Sequence, residues 1–81
     1  MEILKFYSKT CGPCKVLERN LKQTDIVYKD IDVASEEGLA LLDKYNIISV
    51  PTLVKIDGEK IDIRHGILSV EELNKWAQTS I

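Results

Sequence analysis

Apolar positions change period several times along the chain, and each change marks an element. Residues 3–7 (ILKFY) are aliphatic or aromatic at almost every position and predict a short strand. From residue 13 to about residue 23 the period lengthens. Cys14, Leu17 and Leu21 fall on i, i+3 and i+7, the inward stripe of an amphipathic helix with Lys15, Glu18, Arg19 and Lys22 turned outward. Pro13 suits the first turn of that helix, where its missing N–H costs nothing. Asp25 closes the region, and residues 26–31 predict a second strand. Strand, helix and strand within about thirty residues imply a parallel pair joined by a right-handed crossover.

Ser35, followed by Glu36 and Glu37, has the form of an N-cap with acidic first-turn residues. It opens a helix through Leu39, Leu42 and Asp43 to Tyr45, with Asn46 as a left-handed stop. Residues 52–56 and 60–64 predict strands on either side of Asp57-Gly58, a strong hairpin signal. Ser69-Val70-Glu71-Glu72 is a capping box, and Val70, Leu73, Trp76 and Ala77 form the inward stripe of a last helix. The order β-α-β-α-β-β-α predicts an α/β fold, a four-stranded mixed sheet flanked by three helices. No repeat, low-complexity tract or linker interrupts it, so residues 1–81 read as a single domain.

With 44% hydrophobic and 30% charged residues the chain has the makeup of a globular protein rather than a disordered tail or a disulfide-dense scaffold. Eleven basic against thirteen acidic side chains leave a net charge of −2 and no basic block to follow a phosphate backbone, so no nucleic acid partner is expected. The apolar runs stop at four or five residues, far short of the roughly 20 that a membrane helix requires. The first ten residues carry Glu2, Lys5 and Lys9 without an apolar central stretch, so no secretory leader is expected and a reducing cytoplasm is the expected compartment. No second apolar stripe stands out, and a monomer is expected.

The two cysteines sit in one tetrapeptide, Cys11-Gly12-Pro13-Cys14. A disulfide closing so short a loop stabilises by only about 2 kcal/mol on chain-entropy grounds, against more than about 4 for a loop of chain length. The spacing suits chemistry better, because a thiolate at the first position can form a mixed disulfide that the second thiol attacks and releases. Half of a zinc site is one rival, but the chain offers no second cysteine pair and a single histidine, His65, which leaves the coordination short. Two buried thiols acting as small apolar fillers are another. Cys11 falls where the first strand meets the first helix. The unpaired N–H groups and partial positive charge of a helix start favour thiolate there, making Cys11 the expected nucleophile. Cys14, on the stripe with Leu17, is expected to face inward and to act as the resolving thiol.

Cys11-Gly12-Pro13-Cys14-Lys15 resembles the active site of the thioredoxin family, and Ser49-Val50-Pro51-Thr52, with Pro51 37 positions after Cys14, is similar to its cis-proline segment. The hairpin Lys55-Ile56-Asp57-Gly58-Glu59 and Gly66 ahead of a helix opening at Ser69 agree. The resemblance covers essentially the whole chain, as a minimal thioredoxin of glutaredoxin size without the extra N-terminal strand and helix. It implies a protein disulfide reductase in which Cys11 attacks, Cys14 resolves, and Gly12, Pro13, Val50, Pro51 and Gly66 bind substrate. It further implies a cis Val50-Pro51 bond, an ordinary trans proline opening an edge strand being the alternative. No bound cofactor or metal follows beyond the Cys11–Cys14 disulfide itself. Partners would be protein disulfides and an NADPH-dependent thioredoxin reductase as electron donor. A glutathione-dependent, glutaredoxin-like reductase is the neighbouring alternative, disfavoured by Gly12-Pro13 and by His65-Gly66-Ile67-Leu68. A non-catalytic docking module is a third.

Several positions depart from the family pattern. Thr10 stands where the family has tryptophan, and Lys5 where it has a buried aspartate. Lys5 either supplies a positive field that holds a thiolate or snorkels to solvent at a strand edge. Lys15 is a second candidate modulator of the thiols, or a solvated helix residue. His65 would line the substrate rim or have no role, and Tyr7 would abut the site or belong to the core.

Overall fold

The computed structural model describes residues 1–79, so the last two positions of the domain read from the sequence lie outside the described residues. The elements are β1 (Glu2–Tyr7), α1 (Gly12–Leu21), β2 (Lys29–Asp32), α2 (Glu36–Lys44), β3 (Thr52–Asp57), β4 (Lys60–His65) and α3 (Val70–Gln78). The four strands form one mixed sheet in the order β2-β1-β3-β4, with β1 parallel to β2 and antiparallel to β3, and β3 antiparallel to β4. Element order and sheet composition match the sequence reading.

Both faces of the sheet are covered. Ile3 and Leu53 pack with Leu17 and Leu21 of α1 and with Leu68, Leu73 and Trp76 at and before α3. On the opposite face Leu4, Phe6, Ile31 and Val54 pack with Ile47 and, at the margin, with Leu41 and Leu42 of α2. The strand period of two therefore sends Ile3, Lys5, Leu53 and Lys55 to the α1/α3 face and their neighbours to the α2 face. A central strand between two helical layers has no wet face, and this is why two lysines become buried here.

Local signals explain the element ends. Cys11 caps α1, Ser35 Oγ accepts from Gly38 N at the start of α2, and Ser69 with Glu72 makes a full capping box on α3. Asn46 takes the left-handed conformation, φ 55°, after α2. In the β3–β4 hairpin Asp57 pairs with Lys60, so the two-residue loop is Gly58-Glu59, one position later than Asp57-Gly58 suggested. The positive φ falls on Gly58, the first loop position, which is where a type II′ turn needs glycine.

The second strand is also displaced. Residues 26–28 have strand-like alternation but pair with nothing, and β2 begins at Lys29, which lies opposite Leu4. Thr24 holds the preceding turn, its hydroxyl donating to Leu21 O and accepting from Ile26 N. Ile26 and Tyr28 pack on the α1/α3 core while Val27 is 88% exposed. No described helix is long and apolar enough to cross a membrane.

Candidate active site

Cys11 and Cys14 are joined by a disulfide at the N-terminal end of α1. The loop that delivers them leaves the C-terminal end of β1 and turns tightly, with Cys11 N donating to Ser8 O at 3.2 Å. Cys11 has extended backbone angles and serves as the N-cap, its Sγ accepting from Cys14 N at 3.1 Å. Its sulfur thus occupies the place where an anion is favoured, facing an N–H that the helix itself leaves unpaired. The first turn of α1 holds no acidic residue to offset this. Cys11 is half-buried, whereas Cys14 is 4% exposed on the same face as Leu17 and Leu21. Gly12 and Pro13 are exposed beside Cys11. The helix stripe read from the sequence therefore separates an accessible sulfur from a sheltered one.

The Val50-Pro51 peptide bond is cis, as the resemblance implied, and Pro51 opens the inner strand β3 rather than an edge strand. Phe6 pairs with Thr52, so Val50 and Pro51 lie at the end of β1 from which residues 8–10 lead to Cys11. Gly66 is tied to the same place, its N–H donating to Pro51 O at 2.9 Å with φ 82°. A Cβ at Gly66 would meet nothing within 4 Å beyond its chain neighbours, which leaves open space beside that position. His65 is exposed, and its Nδ1 lies 3.2 Å from the Thr52 hydroxyl, which itself donates to Ser49 O at 2.7 Å. With its one proton used on Ser49, Thr52 can only accept from His65, so the ring carries its proton on Nδ1.

Lys5 does not snorkel to a strand edge: β1 is an inner strand and Lys5 is 3% exposed. Its Nζ lies 2.8 Å from Asp30 Oδ1 and 3.7 Å from Glu18 Oε1, between the rings of Tyr7 and Tyr28 at 5.4 and 5.3 Å. Burial pushes the Tyr28 phenol above its ordinary value, while Lys5 draws it down. A cleft of about 250 Å³ brings together Lys5, Tyr7, Cys14, Lys15, Glu18 and Asp30. Tyr7 thus abuts the site, and Lys15 is an exposed helix residue at its margin.

Glu18, Tyr28 and Asp30 were not singled out by sequence reasoning as site residues. The signal that could have found Asp30 is the parallel pairing of β1 with β2, which sets it opposite Lys5. Among the described residues no three His, Cys, Asp or Glu side chains come together as a metal site.

Comparison with known proteins agrees with this geometry. The family pattern described as Thioredoxin matches residues 1–79. A thioredoxin of Mycoplasmoides gallisepticum is 32% identical over 81 residues, covering 90% of this chain and 77% of the relative. Thioredoxin H8 of Arabidopsis thaliana is 29% identical, over 95% of this chain but only 57% of its own length. Among solved structures, a single-site mutant of a thioredoxin from Halobacterium salinarum superposes with a TM-score of 0.77 at 34% identity, over 98% of this chain and 74% of that one.

Proposed function

This chain belongs to the thioredoxin family of thiol–disulfide oxidoreductases, and from that premise we propose a two-step reduction of protein disulfides at Cys11 and Cys14. In the first step the Cys11 thiolate attacks one sulfur of a substrate disulfide. A bond forms between Cys11 Sγ and that sulfur, and the other substrate sulfur leaves as a thiolate that takes a proton from water. In the second step Cys14 attacks Cys11 Sγ, the Cys11–substrate bond breaks, and the substrate's second thiolate is released. Two electrons pass from the dithiol to the substrate, and the protein is left with its Cys11–Cys14 disulfide.

The single observation that carries this reading is the capping position of Cys11, with its sulfur hydrogen-bonded to Cys14 N at 3.1 Å and Cys14 sheltered behind it. A donor aimed at the sulfur favours its charged form, so Cys11 is the attacking group by electrostatics and by access. The substrate strand is proposed to lie across Gly12 and Pro13 and against Val50 and Pro51, pairing its main chain with Val50, with Gly66 leaving it room. Main-chain pairing gives affinity with little sequence demand, which fits a reductase of many proteins. The proposed setting is a reducing cytoplasm, the proposed working form a monomer, and the proposed electron donor an NADPH-dependent thioredoxin reductase.

NADPH-coupled reduction of a model protein disulfide tests the donor, run once with thioredoxin reductase and once with glutathione plus its reductase. Turnover with thioredoxin reductase alone, abolished by Cys11→Ser, is the expected result. Turnover with glutathione alone would move the chain to glutaredoxin chemistry.

A further inference from the structure

Lys5 is a buried cation that the two-step exchange leaves without a task. Placing a lysine in the inner strand of a small sheet carries a large desolvation penalty, and an aliphatic side chain of similar volume would serve packing at least as well. The sequence nevertheless surrounds Lys5 with groups that fix its ammonium in place. Asp30 Oδ1 stands at 2.8 Å from β2, Glu18 Oε1 at 3.7 Å from α1, and two aromatic rings flank the ammonium. The carboxylates are 47% and 40% exposed, so water screens them, whereas the ammonium at 3% exposure is screened far less.

Cys14 lines the same cleft. The other charged groups lining it are Lys9 and Lys15, both exposed, so three cations and two carboxylates line the cleft that Cys14 also lines. In the oxidised protein Cys14 carries no charge for them to meet. Once the disulfide is reduced, a Cys14 thiolate would be the anion that completes the set.

We propose that Lys5 is a positioning residue that stabilises the Cys14 thiolate, so that the resolving sulfur is already ionised when the mixed disulfide forms on Cys11. This rests on the assignment of Cys14 as the resolving thiol. The Cys14 proton leaves to water in the cleft, the thiolate's electron pair makes the bond to Cys11 Sγ, and the substrate sulfur departs with the electrons of the broken bond. Lys5 transfers nothing and acts through its charge. Asp30 and Glu18 hold the ammonium in place and, as anions, oppose the thiolate. A rival mechanism gives one of these carboxylates the proton of Cys14 and leaves Lys5 no part in setting the Cys14 midpoint, so the two differ in the response to loss of Lys5.

The test uses the Cys11→Ser protein, in which Cys14 is the sole thiol, and follows its ultraviolet thiolate absorbance against pH. Adding Lys5→Met should move the midpoint up by about 1 pH unit, a tenfold loss of thiolate at a given lower pH. Lys5→Arg, which keeps the charge, should restore it. A midpoint indifferent to Lys5→Met, or lowered by it, would overturn the proposal. If Lys5→Met fails to fold, Lys5→Gln, which keeps a polar side chain without the charge, is read in its place, and a midpoint that it does not raise would overturn the proposal. Because no turnover is read, failure here is distinct from failure of the Cys11 attack, which mixed-disulfide trapping reads separately.

Discussion

Trp76 is buried in the core, yet its indole nitrogen is a donor that burial would leave unpaired without Asp62. The Trp76 Nε1–H donates to Asp62 Oδ2 across the face of β4, and Arg64 Nε donates to the same oxygen at 3.2 Å. The indole bond is the main reason that the Asp62 carboxyl lies below its ordinary value, with Arg64 adding to it. A carboxyl depressed in the folded state contributes stability that is full above the unfolded value and lost as pH falls through the folded one. At about a third exposed, the pair is worth about 1 kcal/mol after allowance for solvent. Urea unfolding of Asp62→Asn should show this loss at neutral pH and converge on the parent protein as pH drops below about 4. A difference that persists unchanged into acid would mean that shape rather than charge holds the pair.

Lys55, on the inner strand β3, is buried as deeply as Lys5. It is 1% exposed, stacks over the Trp76 ring at 4.9 Å, and its Nζ donates to two carbonyls at the C-terminal end of α3, Trp76 O and, at 2.9 Å, that of the capping residue Thr79. A strand pattern read from sequence assigns such a lysine to solvent by default. Here carbonyls at a helix end, 21 and 24 residues further along, supply the partners that offset the cost of burial. Lys5 escaped a definite reading for the same reason, since its carboxylates come from two other elements.

At the scale of the element, the helices were the most legible parts. Cys14, Leu17 and Leu21 are all buried on one face of α1, and the capping box at Ser69 and Glu72 is formed in full. Stripes and caps are local, so sequence spacing fixes them. Replacing Ser69 by Ala should cost about 1 kcal/mol, read as a lower urea midpoint without a change in slope. Residues 26–28 were misread because strand propensity says nothing about whether a neighbour is there to pair with. Gly38 shows another non-local constraint. It lies in the first turn of α2, and a Cβ there would run into the Asp32 carbonyl carbon and oxygen at the end of β2. Glycine to alanine within a helix ordinarily stabilises by about 1 kcal/mol, but Gly38→Ala should destabilise by about 2 because the obstacle is backbone. Chemical denaturation showing a gain would contradict the close approach of α2 to β2.

For the molecule as a whole, the hydrophobic layers on both sides of the sheet carry the fold, and the disulfide spans a sequence separation of 3. A loop that short constrains the unfolded chain by about 2 kcal/mol. Reduction should therefore lower the unfolding free energy by no more than about that amount and leave the far-ultraviolet circular dichroism intact. Survival of the fold in the dithiol form is what a recycling reductase requires, and unfolding on reduction would make the disulfide structural instead. The order of attack is the central claim, and it divides two sulfurs by burial and by one hydrogen bond. Mass spectrometry of adducts with a disulfide-bonded protein substrate tests it most directly, using reduced Cys14→Ser and reduced Cys11→Ser side by side. The account expects a one-to-one mixed disulfide on Cys11 in the Cys14→Ser protein, cleaved by dithiothreitol, and little or none in its counterpart. An adduct that forms on Cys14 while Cys11 stays free would contradict it.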